Sequence, residues 1–162
     1  MNFHRMPYRF LLLIGSVVFL PTFHVGASTD AKIQTRSDGV TIVELNQTPC
    51  LFLESEENPQ PYTSMKKADC VAINAKTAQN RQLKTLKLKP GKHIFRITNK
   101  NVPYELGFYL RGGGLGRVTL PSVSGGGLTT GATKDYEINL AKGSYYYSCP
   151  LNPTPDYTLV VE

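Results

Sequence analysis

Histidine is scarce in this chain, and the scarcity excludes more than any motif establishes. The 162 residues hold three, His4, His24 and His93. The first two lie in an N-terminal stretch that is expected to be removed. One imidazole and no acid–base partner nearby leave no nucleophile–base pair and no serine–histidine–aspartate order, so the expected protein is not an enzyme. Long apolar runs are also lacking. Phe10 to Leu20 falls short of the roughly 20 residues that cross a bilayer. A basic patch is missing too: the net charge is +6, but it is dispersed, so nucleic acid is not an expected partner. The glycine runs Gly112–Gly114 and Gly125–Gly127 lack the following helix and the closing Lys-Ser or Lys-Thr of a phosphate loop. They read as flexible loops that use left-handed backbone. No internal repeat is visible.

What is present begins with an export pattern. Arg5 and Arg9 precede the apolar run, and Val25-Gly26-Ala27 offers small residues for cleavage before polar Ser28 and Thr29. Residues 1–27 therefore read as a signal peptide, with an uncleaved N-terminal anchor as the alternative. No cysteine follows the apolar run directly, which argues against a lipid anchor. Removing 27 of the 162 residues leaves 135, enough for one domain with a core of its own, residues 28–162. Two of the 18 basic residues leave and none of the 12 acidic ones, giving a mature charge of +4. The expected location is periplasmic or secreted, with no membrane span after cleavage.

The mature chain reads mainly as short strands. Ile33–Gln34 and Val40–Leu45 flank an Asp38-Gly39 turn, and Cys50 to Glu54 continues extended. Glu54, Glu56 and Glu57 then open a polar loop with Asn58, Pro59 and Pro61. These carboxylates are of the type that gathers a hard cation, but the plainer reading is a solvated loop. Ser64 to Gln82 is the helical stretch, with Ser64 as N-cap and Asp69 early in the run. Cys70, Ile73 and Thr77 mark a weakly apolar face of what reads as a core-covering insertion.

From Leu83 the pattern is all β. Leu86 and Leu88 alternate with Lys84, Lys87 and Lys89, and Lys92 follows. This reads as the solvated face of a strand, with a docking surface for an acidic partner as the second reading. His93, Phe95 and Ile97 alternate after Pro90-Gly91. Tyr104 to Leu110 is a strand. Asp135–Leu140 and Ser144–Cys149 form a hairpin, and Tyr157–Val161 ends the chain. Of Tyr145, Tyr146 and Tyr147, two are expected to pack and one to face out. Short strands at this spacing indicate an all-β sandwich.

Two segments resemble cupredoxins, the small β-sandwich copper proteins. In Leu88–Phe108 the sequence has Pro-Gly, an alternating strand, Asn99 and then Pro103-Tyr104, where the family places Pro-His. In Ala141–Pro155 it has Gly143, Tyr145 and Cys149 in the family's order, with Asn152 at the next histidine position and no methionine after it. The resemblance covers about half of the mature chain. It implies a Greek-key cupredoxin-like sandwich carrying a helical insertion at about residues 64–82. The chain is also similar to the cupredoxin-like domains of periplasmic iron-uptake proteins, through Glu105, Cys149 and Asn152-Pro153.

A blue-copper centre needs two imidazoles and a thiolate. With His93 as the one mature histidine and Tyr104 and Asn152 at the vacated ligand positions, none is expected. The resemblance still implies handling of copper or iron at a non-blue site, or a role beside a periplasmic redox or metal-uptake partner. Cys149, Glu105, His93 and Met65 are the candidate ligands. For Cys149 the plainer reading is a buried free thiol. For Glu105 it is an edge carboxylate or a partner of Arg96. The rival function is a metal-free module that binds a protein partner through its Gly-rich loops. Two of the three cysteines are expected to pair. Cys50 with Cys70 is the choice, because both lie in one irregular segment and the motif accounts for Cys149. Pairing of Cys149 with either of them is the alternative.

Overall fold

Alternation along the strands decides which side chains meet. The computed structural model describes Met1 and residues 30–162. Residues 2–27 of the expected export signal, with His4 and His24, lie outside the described residues. The strands are β1 (Lys32–Thr35), β2 (Thr41–Thr48), β3 (Leu51–Phe52), β4 (Leu86–Leu88), β5 (Gly91–Asn99), β6 (Leu106–Gly112), β7 (Val123–Leu128), β8 (Thr133–Leu140), β9 (Gly143–Ser148) and β10 (Tyr157–Val161). One sheet runs β1-β2-β5-β8, with β3 on β2, and the other runs β4-β10-β9-β6-β7. The β2–β5 and β4–β10 pairs are parallel and the rest antiparallel. This is the cupredoxin-like β-sandwich that the sequence led us to expect.

The core follows from the period of two. Phe95 and Ile97 of β5 lie beside Val43 and Leu45 of β2, and Phe95 lies opposite Tyr136 of β8. All five are buried. From the second sheet, Phe108 comes within 5.5 Å of the Phe95 ring, and Tyr147 stacks on Tyr157 at 5.4 Å. Each such ring contributes about 1.5–3 kcal/mol by leaving water. Tyr145 and Tyr147 are buried and Tyr146 is exposed, as the pleat requires.

The chain departs from the sequence reading in one strand pairing and in its irregular parts. The expected hairpin of Asp135–Leu140 with Ser144–Cys149 does not form: β8 pairs with β5 in one sheet and β9 with β6 and β10 in the other, so the turn between them crosses from sheet to sheet. Cys50–Glu54 is not simply extended: β3 is two residues long, and a 3-10 turn, Leu53–Ser55, follows. Helix α1 spans Lys67–Thr77, with a 3-10 turn at Ala78–Asn80. Ser64 does not cap it. The Asp69 carboxylate accepts from the Met65 and Lys66 N–H groups at 2.8 and 3.1 Å. Of the expected apolar face, Cys70 is buried, whereas Ile73 and Thr77 are only half-buried.

The second glycine run is not a loop but half of β7, and a one-turn helix α2, Gly116–Thr119, follows the first run. Glycine is needed where β6 meets β7. A Cβ on Gly107 would sit 2.6 Å from the Gly125 carbonyl oxygen, at the point where the pairing register shifts.

Candidate functional site

Cys149 follows β9 and is buried, with a free thiol. Its sulfur accepts N–H groups from Gly107 at 3.4 Å and Asn152 at 3.3 Å. The irregularity at Gly107 brings that backbone close, and the turn through Pro150 folds Asn152 back. Burial pushes the Cys149 thiol up despite these N–H groups. The free thiol is therefore protonated at neutral pH, and a metal bound there has to displace the proton.

Around this cysteine Tyr104 and Asn152, the positions expected from the sequence resemblance to be vacated, come together. The Tyr104 hydroxyl donates to Asn152 Oδ1 at 3.2 Å, and the Cys50 N–H donates to the same oxygen at 2.9 Å. Asn152 Nδ2 donates to the Thr48 carbonyl at 2.9 Å. Both lone pairs of Oδ1 are thus engaged, and the side chain is fully buried. Ser64 holds the Tyr104 hydroxyl from the other side. Burial raises the Tyr104 phenol, more than the Ser64 bond lowers it.

The Cys50–Cys70 disulfide closes over this cluster, with the Cys70 sulfur 3.1 Å from Asn152 Oδ1. A disulfide sulfur carries no proton, so this is a packing contact. Cys50 has a left-handed backbone, φ 68°, which is strained for a residue with a side chain. Asn152 holds its N–H, Arg81 holds its carbonyl at 3.0 Å, and the disulfide fixes its side chain.

The other candidate ligands lie elsewhere. His93 is buried near the start of β5, with Nδ1 2.9 Å from the Gly91 carbonyl. Asn99, beside the Tyr104 turn, is six residues further on, about 20 Å along an extended strand. Met65 is 70% exposed. Glu105 accepts the Gly127 N–H at 2.7 Å, so it fixes β7. It does not pair with Arg96, which holds Asp135 through two hydrogen bonds at 2.8 Å. Among the described residues no group of three or more His, Cys, Asp or Glu side chains converges. A thiol, a phenol and an amide with its oxygen already engaged do not match the donor set of a blue-copper centre.

The polar loop after β3 is also not simply solvated. Glu56 is 2% exposed and receives Arg81 at 2.6 Å and the Tyr157 hydroxyl at 2.6 Å. Burial, then the Glu56 charge, raises Tyr157 well above the usual phenol range. Sequence reasoning missed this network, since Glu56 and Arg81 lie in different local patterns. It also missed Gln47, whose Nε2 donates to the Gly107 carbonyl at 2.8 Å and ties one sheet to the other beside Cys149. Gln47 Oε1 is buried without a hydrogen-bond partner among the described residues.

No protein-family model and no curated protein matches the chain. Among solved structures, auracyanin B is similar, at 14% identity and a TM-score of 0.45, covering 83% of this chain and 96% of that one. So distant a likeness adds nothing about the site. The cupredoxin-like description rests on the strand order given above.

Proposed function

We propose that the protein is an exported, non-enzymatic, metal-free binding module, in which the copper position of a cupredoxin-like sandwich serves as a structural tie. One observation carries the reading. Asn152, at a vacated ligand position, spends its carbonyl oxygen on Cys50 and Tyr104 and its amide on Thr48. Metal entry there has to break those bonds and displace the disulfide-linked segment. The disulfide suits an oxidising compartment. No described helix is long and apolar enough to cross a membrane.

The surface offered to a partner is the first glycine loop. Leu115 and Val118 are 92% and 88% exposed around α2. Arg117 lies between them, and the Gly113 N–H bond to the Ser144 carbonyl sets the loop beside the turn that carries Lys142. An apolar recess edged by carboxylates on a protein partner fits this tip. The second run is not available in the same way. Side chains occupy the edge of β7, with Lys134 on the Gly126 carbonyl and Glu105 on the Gly127 N–H.

Two arms test the proposal. Anaerobic competition titration with Cu(I) and with Fe(II) should show no stoichiometric binding to the oxidised protein. A photo-crosslinking residue at position 115 should give a discrete adduct in expressing cells, and one at exposed Glu137 should not. Tight metal binding that is lost in Cys149→Ala restores the metal-handling reading. Equal crosslinking at both positions removes the loop from the interface.

A further inference from the structure

The insertion builds a cavity of about 450 Å³ between the segment that follows Ser55 and the end of α1. Its floor is the Glu56–Arg81 pair, with side chains 2% and 3% exposed. Taking such a pair from water is costly, and an apolar pair of similar volume often serves stability as well. A buried ion pair at the base of a cleft therefore asks for a reason beyond stability. The Arg81 guanidinium also lies 5.2 Å from the centre of the Tyr62 ring, which sets that ring in the cavity wall.

The rest of the lining is amide-rich. Asn58, Gln60, Asn80 and Gln82 surround the opening. Asn58 donates to Gln82 at 3.3 Å, and Gln60 donates to the Asn58 carbonyl at 3.0 Å. The Asn80 side chain makes no hydrogen bond among the described residues. Each amide offers a donor and an acceptor in one plane. The two charges at the floor neutralise each other, so neither a cation nor an anion gains from entering. Neutral amide groups around the opening, a half-buried aromatic ring and this volume fit a small polyhydroxylated ligand.

We infer that this cavity is a saccharide-binding site, taking one or two sugar rings whose hydroxyls pair with Asn58, Gln60, Asn80 and Gln82 while an apolar sugar face meets Tyr62. It lies between the insertion and the loop that leads into it, and is independent of the α2 loop and of the state of Cys149.

The test is a titration of the oxidised, isotope-labelled protein with cellobiose, maltose and N,N′-diacetylchitobiose, read by amide chemical shifts. At least one should give saturable shifts centred on residues 56–62 and 77–82. Tyr62→Ala should weaken that binding about tenfold, the loss of one aromatic face contact. Asn80→Ala should weaken it as well and keep the wild-type melting temperature, while Tyr62→Ala should keep the folded amide spectrum outside residues 56–62 and 77–82. Succinate and guanidinium, used as charged probes, should give no saturable shifts at the same residues. The inference is overturned if no sugar in the panel saturates, if binding survives Tyr62→Ala combined with Asn80→Ala, or if a charged probe binds more tightly than every sugar.

Discussion

The sandwich and its insertion are held by different forces. In the sandwich, alternating residues of both sheets interlock around Phe95, Phe108, Tyr147 and Tyr157. In the insertion, α1 buries Cys70 and little else. It is tied down by the Cys50–Cys70 bond, by Asn74 donating to the Pro153 carbonyl at 2.6 Å, and by Arg81, which reaches Glu56, Asn74 and the Cys50 carbonyl. Packing spreads stability over many contacts. Point ties concentrate it, so single substitutions in the insertion should have outsized and local effects.

The largest effect is expected at the buried ion pair. Arg81→Met leaves the Glu56 carboxylate buried without its partner and should cost about 3–5 kcal/mol in denaturant unfolding. Arg96→Met, which breaks the surface pair with Asp135, should leave the midpoint nearly unchanged. Similar losses from both would remove the distinction between the regions.

Next in size is the disulfide. The paired cysteines are 20 positions apart, and Cys50→Ser with Cys70→Ser should cost about 3 kcal/mol in the chain-entropy picture. Hydrogen exchange should show residues 53–82 opening first while β5 and β8 stay protected. Uniform loss of protection would mean that the insertion and the sandwich form one cooperative unit.

Asn152→Ala should cost about 1–3 kcal/mol, because it strands the buried Cys50 N–H and the Thr48 carbonyl. Tyr104→Phe, which leaves Asn152 its bond from Cys50, should cost less. The reverse order would move the centre of the tie from Asn152 to Tyr104.

A smaller effect is expected from pH. Burial raises the folded Cys149 thiol above its unfolded value. Its contribution is therefore complete below the unfolded thiol range and is lost as pH rises through the folded one. Stability should fall on the alkaline side of about pH 8.5, and less steeply in Cys149→Ala. Tyr147, pushed up to about 12 by burial, keeps contributing in both proteins, so the difference between them isolates the cysteine. Identical alkaline slopes would contradict the assignment.

Much of the sandwich was legible in the sequence because β5 and β8 repeat every second residue and each turn has its own chemistry. The pairing of Cys50 with Cys70 was legible from their shared segment, and the closeness of Tyr104 and Asn152 from the two half-motifs. The Glu56–Arg81 pair was not. Its members are 25 residues apart, and each reads alone as a surface charge. The strand at Gly125–Gly127 was hidden because glycine carries no alternation. The need for it lies in the close approach of another backbone, at Gly107, and no local pattern records that.

The proposal puts a structural tie at Tyr104 and Asn152, where the sequence resemblance expects copper ligands. It is tested most directly by Cu(II) titration of the wild type beside Tyr104→His/Asn152→His, read as visible absorption together with a count of free thiol. The wild type should give no intense thiolate-to-copper band, since the one described imidazole, His93, lies away from Cys149 and that centre needs two imidazoles beside the thiolate. The double variant should acquire the band, because it places two imidazoles beside Cys149. An intense band in the wild type, or a folded double variant with a titratable Cys149 and no gain in Cu(II) binding, would contradict the account.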